Sequence, residues 1–216
     1  TSEAGVRDLE RVLSSLARKI TINNVKVLNE DRVIRLLGSP KYKSAEEEIN
    51  EIGTINTLAV SGFGGSLSKL EVLTCKGSDK LTITGNTGNI LKESIEVVLS
   101  MLKSKYKYNF HNEDLHIHFL DASSKKDGPS AGVSIAVALM SLIKNKKISS
   151  QIAFTGELSL KGDILPVGGL KEKVVAATTE GITKVFVPSA NAFEVANISE
   201  NITNNIEIVL VSNFTE

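Results

Sequence analysis

Tryptophan is absent from this chain, cysteine occurs once and proline four times, and the 25 acidic residues cancel the 25 basic ones. Each shortage excludes something. A lone cysteine, Cys75, rules out an internal disulfide, so the fold must hold by packing, and it suits a reducing compartment. Cys75 ends the apolar run that starts at Leu70, which marks it as a buried strand residue rather than a nucleophile. Zero net charge offers no general attraction to nucleic acid or an anionic membrane. The small basic cluster Lys103, Lys105 and Lys107 reads as a solvated helix end. No apolar run approaches the roughly 20 residues that a membrane-spanning helix needs. What remains is an ordinary globular balance, with 41% hydrophobic and 23% charged residues. A length of 216 residues allows one full domain and a small appendage.

Hydrophobic spacing divides the chain. Residues 1–20 repeat Val6, Leu9, Val12, Leu13, Leu16 and Ile20 at helical intervals. A second helix fits 27–37, closed by Gly38 and Pro40. The charged stretch 41–50 has no stripe and reads as a linker. Beyond it, strands are expected at 55–61, 68–74, 80–84, 115–119, 152–155, 163–167, 184–188 and 206–212. Helices are expected at 90–103, 130–142, 170–179 and 190–198, with a glycine-rich turn at Gly62-Phe63-Gly64-Gly65. Interleaved elements with some adjacent strands predict an α+β (mixed α/β) domain.

Gly128-Pro129-Ser130-Ala131-Gly132 fits G-x-S-x-G and opens an apolar helix. A serine at a helix start suits acyl transfer, because unpaired N–H groups and the positive dipole end favour an alkoxide and an oxyanion. The same residues also suit plain helix capping. A nucleophilic serine needs a base. His111, His116 and His118 all precede Ser130, which excludes the serine-to-histidine chain order of α/β-hydrolases. A His-Asp-Ser order using Asp121 or Asp127 would crowd a triad into one strand and one loop. His116 and His118 share a strand face and read as structural; no third ligand stands near them in sequence to suggest a metal. Lysine remains, provided burial lowers its pKa toward neutrality. In Gly168-Gly169-Leu170-Lys171-Glu172-Lys173, Lys173 aligns with Leu170, Ala176 and Ala177, whereas Lys171 aligns with Val174 and Val175. Periodicity leaves both open, and a snorkelling lysine is open too.

Three blocks resemble the Lon proteases, ATP-dependent serine proteases of the AAA+ class: Lys126-Asp127-Gly128-Pro129-Ser130-Ala131-Gly132, Thr155-Gly156-Glu157, and the run from Leu165 to Lys173. The interval of 43 residues from Ser130 to Lys173 matches that family's without a gap. The resemblance implies that Ser130 is the nucleophile, that Lys173 rather than Lys171 is the base, and that Thr155 hydrogen-bonds the catalytic lysine. It implies that residues 1–40 end a small AAA+ helical subdomain in which Arg7 senses nucleotide, that 41–50 link, and that 51–216 form the protease domain. No G-x-x-x-x-G-K-[ST] phosphate loop occurs, so ATP and Mg2+ are expected to act through an ATPase lying upstream.

The resemblance further implies unfolded or damaged protein substrates, a homohexameric ring, and a cytoplasmic location or an organelle matrix. The resemblance leaves DNA binding open for full-length members of the family but does not indicate it here, and no membrane association is expected. The contrasting reading is a catalytically silent Lon-like module for ring assembly or nucleic-acid handling; the presence of both Ser130 and Lys173 speaks against it. The chain departs from the family pattern at Leu120-Asp121-Ala122-Ser123, at Lys125, and at Val60-Ser61-Gly62-Phe63. Those positions bear on the shape and switching of the cleft, not on the dyad.

Overall fold

Side chains alternate across a strand, and that alternation assigns the faces of the central sheet. The computed structural model describes residues 5–39, 50–62, 64–108, 110–120 and 125–215. Residues 41–49 of the 41–50 linker, Phe63 and the departures at 121–123 lie outside the described residues. The chain forms two compact units, 1–46 and 47–216. The first contains α1 (Arg7–Ile22) and α2 (Glu30–Leu37), which pack on each other. Asn29 caps α2 by accepting the Arg32 N–H at 3.0 Å.

The second unit carries β1 (Thr54–Ser61), β2 (Gly64–Lys76), β3 (Leu81–Thr84), α3 (Asn89–Tyr106) and β4 (Glu113–Phe119). There follow α4 (Gly132–Lys144), β5 (Ile152–Phe154), β6 (Glu157–Leu158), β7 (Ile164–Leu165), α5 (Leu170–Thr179), β8 (Lys184–Pro188), α6 (Ala192–Ala196), α7 (Glu200–Thr203) and β9 (Glu207–Val211). Seven strands form a mixed sheet in the order β3-β4-β2-β1-β5-β8-β9, and β6 and β7 make a separate hairpin. Pairing is antiparallel between β1 and β2 and between β2 and β4, and parallel elsewhere in the sheet. This is the expected mixed α/β class.

Each face has its own core. Ile55, Leu70, Val72, Ile117 and Phe119 pack with α3 and α4. Leu58, Ala153, Val185 and Val187 pack with α5. Val185 and Val187 therefore face α5, while Phe186 between them turns to the other core. The same alternation corrects one expectation: Cys75 is exposed, and so is Leu73 two residues earlier, on the outward face of β2. Among the described residues no helix is long and apolar enough to cross a membrane.

Candidate active site

Ser130 sits in a 3₁₀ turn, Pro129–Ala131, that leads into α4, so the α-helix begins two residues later than the sequence pattern predicts. Proline's fixed φ suits a tight entry turn. Backbone bonds hold this turn. The Ser130 carbonyl accepts the Gly156 N–H at 2.8 Å, and the Val133 N–H donates to the Gly156 carbonyl at 3.0 Å. The turn is thus tied to the segment that leaves the carboxyl end of β5.

The lysine arrives from the opposite face of the sheet. α5 buries Leu170, Lys173, Val174 and Ala177, whereas Lys171 is exposed. Lys173 is only 1% exposed, so its amine does not snorkel to water. Its Nζ donates to Thr155 Oγ1 at 3.1 Å, and Thr155 Oγ1 donates to the Ser130 carbonyl at 3.4 Å. Thr155 is fully buried, just past β5. It bridges amine and serine turn immediately past the carboxyl end of β5. Burial pulls the Lys173 pKa down to about 8, and the carboxylate of Glu194 on α6 opposes part of that shift. Near neutral pH, about one amine in ten is then uncharged and able to take a proton.

Glycine sets the position of α5. A Cβ on Gly65 would lie 2.0 Å from the Glu172 carbonyl oxygen and 3.0 Å from the Lys173 nitrogen. Only a residue without a side chain lets β2 approach the helix backbone this closely. Gly169, with φ of 67°, occupies the left-handed region at the helix start. Spacing alone could not reveal the role of Gly65, because its partner lies far along the chain.

Residues 27–216 match the family described as the Lon protease (S16) C-terminal proteolytic domain. The chain belongs to that family. It is a proteolytic domain of the serine class. Over its whole length it is 40% identical to the Lon protease of Aster yellows witches'-broom phytoplasma, and it covers 29% of that protein. It is 38% identical to the Lon protease of Rhizobium meliloti, covering 28% of it, again over the full chain. Lon protease 1 of Thermus thermophilus is also 38% identical, and 29% of it is covered. The chain thus spans under a third of the length of the curated relatives it matches.

Other candidate residues of this Lon domain have separate duties. Asp127 Oδ1 accepts the Ile90 and Leu91 N–H groups at 3.0 and 3.3 Å, capping α3, and Oδ2 pairs with Lys125 at 3.4 Å. His116 Nε2 and His118 Nδ1 both meet Thr84 Oγ1, at 2.9 and 2.7 Å. Asp127 therefore serves a helix end and the two histidines serve a strand pair. Among the described residues no group of three metal-ligating side chains stands together. Val60 lies against Gly169, which puts this departure beside the entry to α5. Arg7 opens α1, exposed, in the helical unit.

Proposed function

We propose that this Lon domain hydrolyses peptide bonds by acyl transfer, with Ser130 as nucleophile, Lys173 as base and Thr155 as the group that holds the amine. One observation carries the reading: a fully buried lysine amine is hydrogen-bonded to a threonine that in turn bonds the Ser130 main chain. Neutral Lys173 takes the Ser130 proton as Oγ attacks the scissile carbonyl. The Ser130 N–H, in the first turn ahead of α4, is the donor assigned to the oxyanion, a contribution of about 10²–10³-fold per donor. The lysinium then gives its proton to the leaving amine, and water releases the acyl group with Lys173 again as base.

Around this chemistry the resemblance supports a wider proposal. Residues 1–40 close a small AAA+ helical subdomain, and 51–216 are the protease domain. A nucleotide-driven unfoldase delivers unfolded, damaged or regulatory proteins, ATP and Mg2+ act there, and Arg7 senses the nucleotide. This chain has no phosphate loop to hold ATP, and no catalytic step here runs through it. The working assembly is a homohexameric ring in the cytoplasm or an organelle matrix. No observation favours a catalytically silent module.

The test compares wild type with Ser130→Ala and Lys173→Ala on unfolded casein and a fluorogenic peptide, in the full-length enzyme. Both variants should lose turnover while remaining folded. Equal turnover by wild type and Ser130→Ala would remove the nucleophile assignment.

A further inference from the structure

Asn191 lies in a 3₁₀ turn, Ser189–Asn191, between β8 and α6, and it is only 3% exposed. A buried amide must spend both its donors and its acceptor. Its Oδ1 accepts the Val167 N–H at 3.0 Å, and its Nδ2 donates to the Val167 carbonyl at 2.9 Å. The second Nδ2 hydrogen goes to Glu194 Oε1 at 2.6 Å. The Val167 pairing fixes which way the amide points, since N–H needs oxygen and carbonyl needs nitrogen. Asn191 thus treats Val167 as a neighbouring strand would, satisfying both of its main-chain groups at a point where β7 has already ended.

Val167 is buried and stands three residues before α5. From it the chain passes through Gly168 and the left-handed Gly169, whose carbonyl accepts the Lys173 N–H at 3.1 Å. No long flexible step separates the clamped residue from the lysine.

We propose that Asn191 is a positioning residue for peptide hydrolysis: by gripping Val167 it fixes the start of α5 and so aims the Lys173 amine at Thr155 and the serine turn. The inference rests on the Ser130–Lys173 reading. Asn191 touches neither reacting atom; it acts through the backbone that carries the base. Its third bond ties Glu194 in place. α5 packs on β1, β2, α6 and α7, and among their described residues Glu194 on α6 is the charged group whose field reaches the amine. Asn191 therefore holds both the segment that carries the base and the carboxylate whose charge acts on it.

The experiment measures kcat and KM for a fluorogenic peptide between about pH 6 and 10 in full-length Asn191→Ala and Asn191→Asp, with active sites counted by a serine-directed label. Aspartate keeps the volume and the acceptor but loses both donors, so it carries the test if the alanine variant folds poorly. Both variants should lose about tenfold or more in kcat per active site, with KM within about twofold, since a slightly misplaced base costs rate rather than binding. The midpoint of the rate–pH curve should move up, because a looser pocket admits water in both variants and, in Asn191→Asp, the added negative charge favours the lysinium. That midpoint does not depend on how much protein is folded. A lower melting temperature with wild-type kcat per site and an unmoved midpoint would overturn the inference and leave Asn191 purely structural. Full turnover by Lys173→Ala would instead remove the base reading itself, and this inference with it.

Discussion

The two halves of the candidate dyad come from opposite faces of one sheet and are held by different means. Ser130 is held chiefly by main-chain bonds to the Gly156 segment, with the Thr155 hydroxyl on its carbonyl and the Asp127 cap of α3 beside it. Lys173 is held by side-chain identity: a missing side chain at Gly65, a hydroxyl at Thr155 and an amide at Asn191. The lysine half also carries an energetic cost that the serine half does not. A buried amine with a pKa near 8 destabilises the fold at neutral pH on the order of 3 kcal/mol relative to its free value. The nucleophile's half should therefore tolerate neighbouring change, while the base's half should be brittle.

The largest effects test the dyad directly. Ser130→Ala and Lys173→Met should each cut peptide turnover by about 10⁴-fold or more, and Lys171→Ala should stay within about twofold. They should differ in stability. Lys173→Met removes a buried cation and should raise the unfolding free energy at pH 7 by a few kcal/mol, roughly 2–3; Ser130→Ala should leave it nearly unchanged. Denaturant melts decide this, and a destabilised Lys173→Met would contradict the dry pocket.

Next is Gly65→Ala, whose methyl must displace the α5 backbone. It should cost about 10²-fold in kcat and 1–3 kcal/mol in stability. A silent Gly65→Ala would break the contrast between the halves. Thr155→Val should follow, slowing kcat about tenfold or more. Removing an acceptor from the ammonium disfavours its charged form, so the rate–pH midpoint should stay or fall, opposite in sign to the Asn191 variants. On the serine side, Asp127→Ala should lose about 1 kcal/mol of stability from the α3 cap and keep most of its rate per folded enzyme.

Stability should itself follow pH through Lys173. Its folded pKa lies below the unfolded value of 10.5, so the unfolded chain binds more protons between about pH 8 and 10.5. This group's penalty is full below that window and is relieved as pH rises through it. Lys173→Met should flatten the corresponding slope.

Much of this was legible in the sequence. α5 and β8 run over the residues the sequence indicates: α5 begins directly after the left-handed Gly169, and β8 is apolar on both faces, with Val185 and Val187 on one and Phe186 on the other. β6 and α7 are too short, at two and four residues, to display a period. Cys75 looked buried because a run of apolar letters hides which of two strand faces each residue takes. The choice between Lys171 and Lys173 was open to spacing, since both align with apolar neighbours one turn away; tertiary packing makes one face of α5 the inner one. Gly65 and Asn191 act on partners distant in sequence, and no local pattern announces such contacts.

The pH dependence of Ser130 labelling by a fluorophosphonate addresses the central claim most directly. In the full-length enzyme, labelling should fall on Ser130, rise through a midpoint near pH 8, and vanish in Lys173→Met. A midpoint near the free-lysine value of about 10.4, or covalent labelling of a different residue, would contradict a neutral buried amine as the base.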